Sequence, residues 1–342
     1  MSFINHARRL LIAAGAATLL AHAPARAAEH EWNMQIAAQA GEIIFDIGQD
    51  FAERVDRMTA GRIKLNIMPV GAIVSYNETM DAVAAGLLDG HITSTVYFSG
   101  KDPAFAILGD LIAAYEHPFQ DQAFLEYRGG NELMRELLSP YGLYFIGGTW
   151  TGKESFVSTI PIESADDFKG VKLRSPEGMA QRIFEAVGAS PVNLPVAEVY
   201  TAIERGVVDA ADWGTFSMND QIGFHRIAKF PIYPGIHSMP VIEVSVNQDR
   251  WDALSDDLKA IMTVAVRDYA RDMVQHLEYE DLKRVREARK NGITIIDWSD
   301  EERRKFREVA VGIWKDWADR SPLAKKAYDA QMAYLREIGL LD

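Results

Sequence analysis

The sequence predicts an α/β protein of two lobes, and three observations carry that expectation. Short aliphatic strands alternate with amphipathic helices along most of the chain. AVAAGLLDG (residues 82–90) is echoed by AIERGVVDA (residues 202–210), each preceded by an aliphatic strand, RIKLNIMP or GVKLRS. A single helical pattern runs over residues 255–292, long enough to touch both lobes. The boundaries expected are residues 28–147 with 240–279 for lobe I, and 148–239 with 280–342, including the C-terminal helices, for lobe II.

Residues 1–27 read as a signal peptide. Arg8 and Arg9 form a positive n-region, LLIAAGAATLLA an apolar h-region too short for a stable anchor, and Ala25-Arg26-Ala27 a cleavage signal. Removing Arg8, Arg9 and Arg26 from the 36 basic residues leaves 33 against 49 acidic ones, a formal net charge of −16. Such a surface repels nucleic acid and anionic membrane, so neither is an expected partner. With no cysteine there is no disulfide staple and no thiolate metal site. The eight histidines show no metal-ligand spacing, and neither a nucleophile elbow nor a zinc-protease helix is present.

The elements follow in order. WNMQIAAQ is the first strand, and residues 42–61 a helix with Ile43, Ile44, Ile47, Phe51 and Val55 on one face. GLYFIGG (residues 142–148) is a buried strand leading into WTGKESFVST, the first passage between lobes. VKLR ends on Arg174, after which Ser175 and Pro176 suit the N-cap and first turn of a helix. HSMPVIEVSVNQ (residues 237–248) is a long strand and the second passage, and a last helical region from Ser299 breaks at Ser321-Pro322. Matching strand ends in the two repeats would face one cleft, where open α/β sheets bind ligands.

Arg174 and Trp213 then stand at strand ends beside that cleft. A guanidinium fork matches a carboxylate, with an internal salt bridge to Asp209 or Asp212 as the bland alternative. Trp213 is either a pocket wall or a core ring, and Asp212 a metal ligand, a partner that orients Arg174 or a solvated residue. Lys153 sits in GGTWTGKE, which departs from a phosphate loop because Glu154 replaces the hydroxyl that holds magnesium. Lys153 is instead a second cation for a carboxylate. His237 and Ser238 fall at the second passage, and Tyr97, Phe98 and Trp150 would contact an organic tail.

With these residues in hand, the chain resembles the solute-binding proteins of TRAP transporters over essentially its whole mature length. RVDRMTAGRIKLNIMP, DFKGVKLRS, EVYTAIERGVVDAADW and FHRIAKFPIYPGIH carry the likeness, and SGKDPAFAIL with Asp212-Trp213 points to the α-keto acid and monocarboxylate branch. The resemblance implies a periplasmic binding protein fold (type II-like), with crossing strands and a lobe-spanning helix. It implies a periplasmic carrier, not an enzyme, with Arg174 on the carboxylate of a small 2-oxo, 2-hydroxy or aromatic acid and delivery to a sodium-driven permease. In that branch a sodium or calcium ion can bridge ligand and protein, and C-terminal helices can mediate a homodimer. Here Lys153 and Ser238 stand where oxygen ligands are expected, so the expectation is that Lys153 replaces the ion and no metal binds. The alternative is a metal held by Asp212, Trp213 and Glu154. An exported enzyme acting on a carboxylic acid and a ligand-presenting sensor module are the rival functions.

Overall fold

The computed structural model describes residues 28–194 and 196–342. The expected signal peptide lies outside the described residues. Among the described residues nine strands form two sheets: β1 (His30–Ile36), β2 (Ile63–Met68), β3 (Gly90–Ser94), β4 (Leu143–Thr149), β5 (Phe156–Ser158), β6 (Lys172–Arg174), β7 (Ser190–Val192), β8 (Ala210–Asp212) and β9 (Ile242–Asn247). Lobe I carries the order β2-β1-β3-β9-β4, and lobe II the order β7-β6-β8-β5. In lobe I, β1 runs parallel to β2 and β3, while β9 is antiparallel to β3. In lobe II, β6 runs parallel to β7 and β8, while β5 is antiparallel to β8. Lobe I thus repeats the order of lobe II and adds β4.

The sequence echo is a structural repeat down to its hydrogen bonds. Gly86 and Gly206 both take positive φ, 73° and 68°, just past a helix end. The next N–H, of Leu87 or Val207, donates back to the carbonyl of Ala82 or Ala202. Asp89 and Asp209 then brace the adjoining strand alike: each backbone N–H donates to the carbonyl of Asn33 or Lys172. Each carboxylate accepts the N–H of that same residue, at 2.8 and 3.0 Å.

Among the described residues the long helix and two stretches of chain pass between the lobes. The long helix Asp256–Lys290 buries Leu258, Met262, Val266, Tyr269 and Met273 in the lobe I core, and farther along Asp281 accepts the Ser217 N–H of lobe II at 2.7 Å. Chain passes from β4 to β5 once and returns through residues 237–241. That return is not strand, and β9 begins only at Ile242, later than expected. Pro240 has no N–H for a ladder. The segment is instead braced by Val241 N–H to the Gly109 carbonyl at 2.7 Å and Ala113 N–H to the His237 carbonyl at 2.6 Å.

The helix after β6 also starts late, at Met179, with Gly178 at φ 100° before it, so Ser175 and Pro176 form the preceding turn rather than its cap. The C-terminal helices Asp300–Ala318 and Pro322–Glu337 straddle the body instead of belonging to lobe II. Trp314 Nε1 donates to the Ile112 carbonyl, and Gln331 Nε2 to that of Ile107. Trp314, Trp317, Met332 and Leu335 are buried, and Ile313, Leu323 and Tyr328 pack against the same core. The apolar face that suggested a dimer is therefore covered by the chain itself. Among the described residues no helix is long and apolar enough to cross a membrane.

Two expected cleft aromatics belong to this core. Phe98 is buried against Phe105 and His91, and Trp150 is buried with its Nε1 donating to Asp121 at 2.9 Å. Burial pushes the Asp121 carboxyl up to about 7, although the Trp150 bond favours the ionised form. A carboxyl raised in the folded state contributes its full stability below the unfolded value of 3.8 and loses it as pH rises through the folded one. Wild type should therefore lose stability relative to Asp121→Asn as pH rises from about 4 to beyond 7. Denaturant titrations of both proteins at pH 5 and pH 8 check this, and a gap independent of pH would show the carboxyl ionised throughout.

Candidate functional site

The cleft opens where the parallel strands of both sheets end. β1 ends on Ile36 with Ala37 after it, β3 ends on Ser94 with Tyr97 beyond it, and Trp213 and Gly214 follow β8. Thr151 and Glu154 come from the first passage, Pro240 and Ile242 from the second, and Tyr269 and Met273 from the long helix. The cavity measures about 110 Å³. A more open groove between Arg128 and Lys326 holds charges already paired, with Glu337 and Glu136.

Arg174 is built into its place by backbone. Its Nη1 donates to the Asp212 carbonyl at 2.7 Å and its Nε to the Leu194 carbonyl at 3.4 Å. Its Cζ lies 5.9 Å from the centre of the half-buried Trp213 ring. Among the described residues no carboxylate lies within ion-pair distance of it, so neither Asp209 nor Asp212 claims its charge with a side chain. Carbonyl oxygens fix the direction of the guanidinium without neutralising it.

Beside it three titratable groups converge. Glu154, Asp212 and His237 each offer a donor atom, and these lie within 4.8 Å of one another. His237 Nε2 is 2.7 Å from Asp212 Oδ1 and 3.9 Å from Glu154 Oε2. Burial, and then Asp212, holds the Glu154 carboxyl well above the ordinary range. For Asp212 burial acts upward too, but His237 and then Arg174 hold it below the usual carboxylate value. Two carboxyls this close disfavour ionising together, so the pair favours keeping a proton on Glu154. The His237 ring is fixed between Phe156 and Phe184, at 5.2 and 5.7 Å between ring centres. Glu154 N–H donates to the Ser238 carbonyl at 2.9 Å, which ties the two passages together.

The sequence expectation for Lys153 does not hold. Lys153 is absent from the cleft lining and sits half-buried, with Arg303, Glu116 and Arg307 as its charged surroundings. Burial, and then Arg303, pushes its ammonium down to about 7. The chain bends at Lys153, just after Gly152 at φ 101°, and Glu154 is the residue that lines the cleft. Ser238 also turns away, donating its hydroxyl to the buried Asp110. His237, expected at the cleft, instead stands behind Asp212. The absence of cysteine and of any histidine spacing hid a cluster whose three members come from three distant segments. Sequence reading also missed Glu42, Ser94 and Tyr269, although the repeat pointed to Ser94 as the lobe I counterpart of Gly214. Tyr76 was missed too, and its ring lies 4.6 Å from that of Tyr97 at the rim.

Gly235 sets the approach of the two passages. A Cβ built there would fall inside the Glu154 carbonyl group. Gly235→Ala should therefore destabilise the protein by about 1–3 kcal/mol or more and shift Glu154 relative to Asp212. Denaturation together with a crystal structure of the variant checks this, and an unshifted Glu154 at full stability would contradict it.

The family model described as bacterial extracellular solute-binding protein, family 7 (DctP), matches residues 35–320. A monocarboxylate 2-oxoacid-binding periplasmic protein of Nostoc sp. is 26% identical over 314 residues, covering 90% of this chain and 84% of that one. A TRAP periplasmic solute-binding protein of Rhodobacter sphaeroides, solved in an apo open form, is 46% identical with a TM-score of 0.82, covering 91% of this chain and 99% of that chain. One from Pseudoalteromonas atlantica with bound sodium and pyruvate is 27% identical, TM-score 0.78, covering 90% and 94%. One from Colwellia psychrerythraea with bound calcium and pyruvate is 25% identical, TM-score 0.79, covering 90% and 95%. Two lobes of repeated topology around a cleft with a backbone-held arginine, together with a family match spanning most of the sequence, make this chain a member of the DctP family of TRAP transporter solute-binding proteins.

Proposed function

We propose that the protein captures a small 2-oxo or 2-hydroxy monocarboxylate between its lobes, in the periplasm, and hands it to a sodium-driven TRAP permease. The observation that carries this reading is Arg174, aimed by two carbonyls and met by no carboxylate among the described residues. A partly buried guanidinium in that setting gains most from an external anion. The 2-oxoacid-binding relative and the pyruvate-bound neighbours support the same class.

Size narrows it. An apolar cavity of about 150 Å³ just holds benzene, whereas this one measures about 110 Å³. Three- or four-carbon acids match that volume better than an aromatic tail does. Its walls are largely aliphatic, with Ile36, Ile44, Ile92, Ile242 and Met273 among them. Ser94, Trp213 and Thr151 add polar side chains to that lining.

A cation completes the charge balance. Asp212, an ionised Glu154 and the incoming carboxylate carry three negative charges against one on Arg174. Glu154, Asp212 and His237 are the residues that would hold an ion, and it would supply the missing positive charge beside the solute. The chain's own contribution is placement: Arg174 receives the carboxylate, Trp213 and Tyr97 exclude water, and the carboxyl pair gives up its proton. The rival of an exported enzyme acting on a carboxylic acid gains no nucleophile from the Asp212–His237 pair. Among the described residues His237 Nδ1 is buried without a hydrogen-bond partner, so none of them stands as a nucleophile where that ring could activate it.

Arg174→Ala should weaken pyruvate binding by about 2–5 kcal/mol in calorimetry with divalent ion present, as for loss of a buried charge partner. Equal affinities in wild type and in a variant of unchanged melting temperature would remove Arg174 from the site. Affinity across straight-chain 2-oxo acids should fall beyond four or five carbons. A flat or rising series would show a cleft deeper than this volume.

A further inference from the structure

We infer that the ion taken with the solute is a nitrogen-accepting divalent metal of the zinc and cobalt kind, rather than the sodium or calcium bound by the pyruvate-binding neighbours. The inference rests on the carboxylate reading above and adds the identity of the ion.

The donor set is the first argument. Of the three convergent groups, one is an imidazole: His237 Nε2, with Asp212 Oδ1 at 2.7 Å and Glu154 Oε2 at 3.9 Å. Calcium takes about six to eight oxygen ligands and sodium is likewise an oxygen-binding ion, whereas imidazole suits zinc, cobalt and nickel. The three side-chain donors match an open zinc site, in which three side chains hold the metal and the fourth position belongs to an incoming ligand, whereas calcium would have to draw most of its ligands from carbonyls, waters and the solute.

Spacing agrees. Donors about 2 Å from a tetrahedral ion lie about 3.3 Å from one another, and the two observed nitrogen-to-oxygen distances fall on either side of that value. Little movement is needed, because His237 is clamped between Phe156 and Phe184 and Asp212 is fixed through its own carbonyl by Arg174. Glu154 is the member with an open side, its side chain 19% exposed toward the cleft. The fourth position therefore faces the solute.

Charge is the second, independent argument. Two carboxylates and the solute anion against Arg174 leave a deficit of two. A divalent ion brings the closed site to neutrality, while sodium leaves an uncompensated negative charge in a buried place. One feature limits the affinity: His237 Nδ1 has no acceptor among the described residues. A metal-binding histidine unsupported from behind typically loses about 10–100-fold in affinity, so binding should be reversible rather than structural.

The test uses the purified, metal-stripped protein and four probes: zinc, cobalt, calcium and sodium ions, titrated alone by calorimetry and then with pyruvate. Zinc should bind at least about 100-fold more tightly than calcium, with sodium weaker still. Cobalt should give the intense visible bands of four-coordination rather than the faint ones of an all-oxygen octahedron. His237→Gln should reduce the zinc-over-calcium preference below about tenfold. The cobalt spectrum of the unaltered protein decides the matter if that variant folds poorly. Calcium binding as tight as zinc, a six-coordinate cobalt spectrum, or no ion binding at all would overturn the inference. Failure of the carboxylate reading looks different: zinc binds, yet no acid of a 2-oxo and 2-hydroxy panel adds to it.

Discussion

Asp212 holds the two halves of the cleft's chemistry in one residue. Its carbonyl takes the Arg174 guanidinium, and its carboxylate meets His237 with Glu154 alongside. A cationic position and an anionic cluster are thereby fixed at one strand end, with a peptide unit between them. The separation matters. If the Asp212 carboxylate paired with Arg174 directly, the charges would cancel internally and the site would have nothing to offer an anion. Because a carbonyl dipole does the holding, both charges stay available. The rest of the fold serves to keep that residue still: β8 pairs with β6 and β5, and Ser155 N–H reaches the Gly214 carbonyl at 2.8 Å.

The internal repeat explains how an arginine came to be held this way. Met34 pairs with Gly90 in lobe I as Leu173 pairs with Ala210 in lobe II. Gln35 is therefore the counterpart of Arg174. Both reach the loop that follows the neighbouring parallel strand. Gln35 donates to the Val74 carbonyl and accepts from the N–H groups of Ile73 and Val74, while Arg174 donates to the Leu194 carbonyl. In lobe I the amide satisfies the loop completely and disappears into the core. In lobe II the longer side chain performs the same loop-holding task and has donors to spare. The same position is structural in one lobe and a candidate binding group in the other, and side-chain length and charge make the difference.

Much of the framework was legible because its signals were local. The long helix expected over 255–292 spans Asp256–Lys290, set by Ser255 before it and by Gly292 at positive φ after it. The terminal helices begin where Ser299 and Ser321 accept the N–H groups of Glu302 and Ala324. What failed depended on distant partners. Trp150 and Phe98 carry no mark in the sequence that separates a cleft wall from a core ring. Asp121 and Phe105 decide, and both come from other elements. The Lys153 error has a different origin. Gly152 at φ 101° turns the chain just before Lys153 and sets which neighbour faces the cleft, so a correct placement of the passage still chose the wrong side chain. His237 was assigned to the right passage but not to its partner, because no spacing reveals that residues 154, 212 and 237 converge.

Under the proposed reading, acid and ion are not independent cargo. Each lowers the charge cost of the other, and the coupling is reciprocal: whatever factor the ion adds to the affinity for the acid, the acid adds to the affinity for the ion. With neither present, the carboxyl pair keeps a proton and Arg174 faces solvent, so the empty cleft gains little by closing. With only the acid, the anionic cluster repels what Arg174 attracts. With only the ion, the guanidinium and the metal are both positive and lack the shared anion between them. Closure is then favoured when all the charges are assembled, and loss of either ligand releases the other. A carrier that must bind tightly in dilute surroundings and let go at its permease gains from that arrangement, since opening the lobes to water weakens both interactions at once.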